Sequence, residues 1–209
     1  MIYEMRTYDL KPRSLPKLLE RWTEAIDYRK TLSPLAAFWY TEIGPLNQII
    51  HVWPYKDLEE RGRVRAEAVA SGKWPPKASE HIVQMRSEIM VPWPDSPPLP
   101  TGKVGPIFEM RTYTLNPGDQ GKVQKTWGKV LADRTKISPV IALWYSELGG
   151  LNKFVHIWPY ASLDARMEAR KAALASGKWP PTPGPDDPQY STVAQETKIL
   201  LSAPFSPLQ

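Results

Sequence analysis

The pentapeptide HVWPY at residues 51–55 returns as HIWPY at residues 156–160, and this repetition constrains the fold more than any other feature. A shift of 105 residues lays Tyr3–Pro76 on Phe108–Pro181 without a gap, with somewhat under half the positions identical. YEMRTYDLKP falls on FEMRTYTLNP, SPLAAFWYTEIGPLN on SPVIALWYSELGGLN, and ASGKWPP recurs unchanged. Eight of the nine tryptophans form four pairs: Trp22/Trp127, Trp39/Trp144, Trp53/Trp158 and Trp74/Trp179. Beyond the second SGKWPP the register slips at an inserted TPGPDD. The chain is a tandem duplication.

Each half reads as one supersecondary unit. Ile2–Leu10 is an opening strand. Leu15, Leu18, Leu19, Trp22 and Ile26 follow helical spacing, as do Val123, Trp127, Val130 and Leu131 in the second copy. Ala36–Glu42 and Gln48–Trp53 are strands around a Gly44–Pro45 turn. Leu58–Ala70 is a helix stopped at Gly72, and His81–Val91 a closing strand. The order βαββαβ is ferredoxin-like, and one such unit covers only one face of its sheet. The fold class predicted is therefore α+β: two tandem ferredoxin-like repeats packed sheet to sheet as an intramolecular dimeric α+β barrel. The units are expected at 1–92 and 105–209, with the proline-rich 93–104 as an extended linker.

Composition narrows the function classes. No apolar run approaches the roughly 18 residues of a membrane span, so no membrane role is expected. The opening IYEMRTYDL shows no signal or transit segment, so a cytoplasmic chain is expected. The absence of cysteine excludes disulfides, thiol catalysis and cysteine-ligated metals. A dispersed net charge of +5 does not mark a nucleic-acid binder, and the helix ERGRVRAEA, mixing Glu with Arg, reads as a solvated face. SGKW lacks the glycine and the Ser/Thr of a phosphate loop and reads as a turn. One histidine per copy in the repeated motif, without a second ligand at metal spacing, calls for no metal and no haem or other cofactor.

Strand alternation sorts side chains into faces. On the third strand Ile50 and Val52 share one face, and His51, Trp53 and Tyr55 the other. The small aliphatic face is predicted to lie under helices, which aims His51 and Trp53 between the sheets. Glu4, Arg6 and Tyr8 share a face of the first strand, and a charged face is costly to bury under helices. A constellation follows for each half. Glu4, Arg6, Tyr8 and His51, with Glu109, Arg111, Tyr113 and His156, are the candidate catalytic groups. Trp39, Tyr40 and Trp53, with Trp144, Tyr145 and Trp158, are the candidate ligand-binding walls. Histidine beside a carboxylate and a tyrosine can move protons, and arginine can hold a carboxylate or enolate. The same residues also read as a structural Glu–Arg pair, a core histidine and core tryptophans.

The opening E-x-R-T-Y, the central N-x-x-x-H-x-W-P-Y and the following L-x-x-R-x-x-x-R resemble the NIPSNAP family. Here they are Glu4–Tyr8, Asn47 with His51–Tyr55, and Leu58, Arg61 and Arg65. The second copy has Glu109–Tyr113, Asn152 with His156–Tyr160, and Leu163, Arg166 and Arg170. The terminal APFSPL is similar to the family's closing signature. The resemblance implies the paired ferredoxin-like fold and says little about activity. Related barrels carry out cofactor-free isomerase, lyase, cyclase or oxygenase chemistry, an analogy from fold alone. The expected function is binding of, and action on, a small aromatic or enolisable molecule in an inter-sheet cavity, by acid/base chemistry. The alternative is a non-enzymatic interaction or scaffold protein of the kind the eukaryotic relatives suggest. A homo-oligomer is compatible with either.

Overall fold

The computed structural model describes residues 1–209. The first repeat comprises β1 (Ile2–Leu10), α1 (Leu15–Leu32), β2 (Ala37–Ile43), β3 (Gln48–Tyr55), α2 (Leu58–Ala70) and β4 (Ile82–Pro92). The second comprises β5 (Ile107–Leu115), α3 (Gln120–Ile137), β6 (Ala142–Leu148), β7 (Lys153–Tyr160), α4 (Leu163–Ala175) and β8 (Thr192–Ser202). Within each repeat the closing and third strands flank the first, giving β4-β1-β3-β2 and β8-β5-β7-β6. The two edges then join, β2 to β8 and β4 to β6, and all eight strands close into an antiparallel barrel. The sheet-to-sheet pairing expected from the duplication is thus a continuous ring.

Local chemistry explains the elements. In α1, Leu18, Trp22 and Ile26 recur every four residues and are all buried, which seats one stripe of the helix on the sheet. The Asp57 side chain accepts from the Glu60 amide to start α2, and Ser162 does the same for Ala165 in α4. In the hairpin before β7, Gly149 has φ +101°, and a Cβ there would stand 2.8 Å from Glu88 Cγ. Asn47 and Asn152 take φ of 56° and 57° at the start of β3 and β7.

The chain after each closing strand clasps the other repeat. Trp93 donates its amide to Leu143 O, and Ser96 Oγ accepts from the Leu143 amide at 3.0 Å. At the C-terminus Ala203 and Ser206 make the same two bonds to Phe38. Trp93 and Ser96, within the stretch read from the sequence as linker, thus anchor it to the second repeat, and Trp93 is buried in the core, stacked 4.0 Å from Phe154.

The sheet faces are the reverse of those predicted. Ile50 and Val52 lie in the barrel interior with Tyr3, Met5, Trp39 and their second-repeat counterparts, in one core shared by both repeats. Tyr3 stacks on Trp144 at 4.7 Å across the interior. His51, Trp53, Tyr55 and Tyr8 lie on the outer face, under α1 and α2. Nearly every residue of β3 is buried, because its sheet is covered on both sides. Alternation therefore separates the two sets without saying which looks inward. No helix is long and apolar enough to cross a membrane.

Candidate functional site

The first-repeat constellation does assemble, between sheet and helices rather than between the sheets. β1 carries Glu4, Arg6 and Tyr8 on the helix-facing side, and β3 brings His51 opposite Arg6 and Trp53 opposite Glu4. A cavity of about 420 Å³ opens there. Arg6, Tyr8, His51 and Trp53 line its sheet side, Trp22 and Arg29 come from α1, and Arg65 from α2. Trp74, followed by a cis peptide bond to Pro75, forms a further wall. Exposed Val69, Val83 and Met85 make its mouth apolar. Trp39 and Trp144 sit on the opposite face, inside the barrel. Tyr40 and Tyr145 are half-buried against the helix-side cores and do not line the cavity.

The charge read as too costly to bury is matched by arginines. Glu4 is fully buried, and its Oε1 accepts from Arg6 at 2.8 Å, Arg61 at 2.7 Å and Ser87 at 2.7 Å. Arg65 stands 3.7 Å away. Burial by itself would raise the Glu4 pKa, but the hydrogen bonds from Arg61, Ser87 and Arg6, with the Arg6 charge, hold it at about 2. The helix read as a solvated face is thus an arginine donor to the strand beneath it. Arg61 and Arg65, four residues apart, project from one side of α2. The motif L-x-x-R-x-x-x-R carried that signal, and the sequence reading did not connect it to Glu4. Arg29 was missed as well. Its guanidinium lies 4.1 Å from the Trp53 ring centre and donates to Tyr55 Oη at 2.7 Å.

His51 has a defined protonation state. Trp53 Nε1, which can only donate, lies 2.7 Å from His51 Nδ1, so Nδ1 accepts and the ring proton of neutral histidine is on Nε2. Burial pushes the His51 pKa well below 6.5, the Arg6 charge adds to this, and Glu4 opposes it. The Nε2–H is buried without a hydrogen-bond partner in a residue that lines the cavity. His51 is therefore a neutral donor with no free lone pair for a base. Proton abstraction, one of its expected roles, does not fit this tautomer.

The second repeat repeats the chemistry with a different opening. Trp158 donates to His156 Nδ1 at 2.6 Å, and His156 Nε2 is again unpartnered, with its pKa lowered first by burial and then by Arg111. Glu109 Oε1 accepts from Arg166 at 2.5 Å, Thr197 at 3.1 Å and Arg111 at 3.3 Å. The adjoining cavity, about 450 Å³, is lined by Arg111, Tyr113, Trp127, Arg170, Trp179 and Tyr190 among others, but not by His156 or Trp158. Phe154 replaces Ile49 and packs 5.0 Å from His156. No three His, Asp or Glu side chains in either repeat converge as metal ligands.

The NIPSNAP family model matches residues 3–97 and 108–207, one copy on each repeat. The chain belongs to the NIPSNAP family. Across 182 residues it is 31% identical to the protein NipSnap homolog of Dictyostelium discoideum, covering 85% of this chain and 78% of that one. It is 25% identical to human NipSnap homolog 3B, covering 99% of this NIPSNAP chain and 85% of the relative. Among solved structures, a putative monooxygenase from Lactobacillus acidophilus superposes with a TM-score of 0.63 over 96% of this chain and 92% of that one. At 9% identity that likeness shows a shared fold.

Proposed function

We propose that the first repeat binds a small aromatic or enolisable molecule carrying an acidic oxygen, in the cavity between its sheet and helices. The observation that carries this reading is the unpartnered, buried Nε2–H of His51, a residue that lines a cavity walled by Trp22, Trp53 and Trp74 and flanked by Arg6 and Arg65. Indole walls favour a flat ring, and a cationic rim favours a carboxylate or enolate. A neutral imidazole N–H in a site shielded from water is suited to polarise a carbonyl or hold an enolate oxygen, without first losing a proton. Enolisation then needs no cofactor: solvent water takes the proton from the α-carbon, the electron pair moves to the carbonyl oxygen, and His51 Nε2–H stabilises the enolate oxygen that forms.

Tryptophan quenching and calorimetry with phenylpyruvate, benzoate and cyclohexanecarboxylate test this. Phenylpyruvate and benzoate should bind one per chain, above cyclohexanecarboxylate. His51→Gln and Arg65→Met should each weaken binding about 10- to 100-fold, the worth of one hydrogen bond to a charged group. His156→Gln should leave it unchanged. Equal binding by His51→Gln and the parent chain would overturn the assignment. Wash-out of the benzylic protons of phenylpyruvate in D₂O, followed by NMR, tells action from binding.

A further inference from the structure

A second chamber, of about 340 Å³, lies inside the barrel at the end where β3 and β7 begin. Its floor is Met5, Thr7, Met110 and Thr112, which are equivalent in the two repeats. Its walls are not equivalent. After the insertion the register between repeats is 110 residues, so Lys198 on β8 stands where β4 has Glu88, and Glu196 where β4 has Arg86. Lys153 on β7 stands where β3 has Gln48. One repeat contact is therefore an ion pair, Lys153 with Glu88, while its counterpart joins Lys198 Nζ to the amide oxygen of Gln48 at 2.8 Å. Arg86 is held by Asp9 at 3.1 Å. Lys198 makes no ion pair.

We infer that Lys198 is the amine of a second binding site, inside the barrel, that condenses reversibly with a small α-keto acid or aldehyde. The amine faces a chamber large enough for such a molecule, and its sole hydrogen-bond partner is a neutral amide. Arg86 and Lys153 also line the chamber and, although paired with Asp9 and Glu88, keep further N–H donors that suit a ligand carboxylate. Exposed Arg86 and Glu196 mark the opening to solvent. The step balances within the two reactants. The neutral amine adds to the carbonyl carbon, the carbinolamine loses one water, and a C=N bond replaces C=O. Thr7 and Thr112 supply hydroxyls for the proton shifts, and the protonated imine keeps the positive charge of the original lysine.

The electrostatics run the same way. Burial lowers the Lys198 pKa, Arg86 lowers it further, and Glu196, Asp9 and Glu88 partly offset this. Lys153, also facing the chamber, is neutralised by Glu88. Each unit of lowering raises the neutral, nucleophilic fraction about tenfold near neutral pH. No other lysine of the chain has this environment, and the first repeat, with Glu88 at the equivalent position, has no such site.

The test is reductive trapping on the full chain. Protein is incubated with pyruvate and sodium cyanoborohydride near pH 7.5, and adducts are mapped by peptide mass spectrometry. Apart from the N-terminal amine, the dominant adduct should form at Lys198, faster than at exposed lysines such as Lys136 or Lys77. Lys198→Arg, which keeps the charge, and Lys198→Gln, which keeps the polar contact, should each remove that adduct and leave surface labelling unchanged. His51→Gln should trap as the parent chain does, so this site stands or falls apart from the aromatic-acid cavity. Adducts spread over exposed lysines with Lys198 at or below their level would overturn the inference.

Discussion

Replacing Glu4 by glutamine tests the central electrostatic claim of the fold, that a fully buried carboxylate is held charged by arginines from a neighbouring helix. The Glu4 pKa falls from 4.5 to about 2. Each unit corresponds to roughly 1.4 kcal/mol, so charge at Glu4 contributes about 3 kcal/mol to stability near neutral pH. The folded value lies below the unfolded one, so this contribution is present above about pH 5 and is lost as pH falls toward about 2. About 2 of those 3 kcal/mol are gone by about pH 3. The neutral amide of the Glu4→Gln chain accepts fewer hydrogen bonds and leaves Arg6, Arg61 and Arg65 facing one another, which fits the roughly 3–5 kcal/mol seen when one partner of a buried pair is removed. Guanidinium denaturation of both chains near pH 7, 5 and 3 reads the difference directly. The gap between them should be about 3 kcal/mol near pH 7 and shrink below about 1.5 near pH 3. A gap that is small near pH 7, or that does not change with pH, would refute the argument.

Two further outcomes follow from the same structure. Both His51 and His156 should remain neutral at pH values well below 6.5, with the proton on Nε2, in ring spectra followed by ¹⁵N NMR; because the unfolded chain takes up those protons and the folded chain does not, stability should fall as pH drops below about 6.5. Ser206→Ala removes the acceptor of the buried Phe38 amide and should cost about 1–3 kcal/mol in thermal or denaturant unfolding, and Ser96→Ala should cost a similar amount at Leu143.

The element order was legible because two copies of each segment vote on it. β1 and α2 have the predicted bounds, and the other elements of the first repeat differ mainly at their ends, where α1 runs on to Leu32 and β3 to Tyr55. The grouping of Glu4, Arg6, Tyr8, His51 and Trp53 was legible too, from alternation. What the sequence hid was the side of the sheet. Two buried faces leave polarity as the only cue, and polarity misled because the compensating groups lie 57 residues away on α2. Placing Arg61 and Arg65 one helical turn apart beside a buried strand carboxylate would have turned the assignment round. Tyr190, which lines the second cavity, follows the inserted segment, and its first-repeat counterpart, Glu80, gives no sign of an aromatic wall there.

The closed ring has a consequence for how the two halves are free to change. Every free strand edge of one repeat is covered by the other, at β2–β8 and β4–β6, so neither half presents a finished sheet alone. If the ring were built from two separate copies of the second repeat, Lys153 would meet Lys198 at both symmetry-related contacts, placing two ammonium pairs in the barrel mouth. Two copies of the first would give Gln48 against Glu88 twice. Only a pair of unlike halves can place Glu88 against Lys153 on one side and leave Lys198 to an amide on the other, and joining them in one chain ensures that unlike halves meet. Fusion releases the two sequences from the self-complementarity that a twofold interface imposes, and it also makes closure a first-order event that dilution does not oppose.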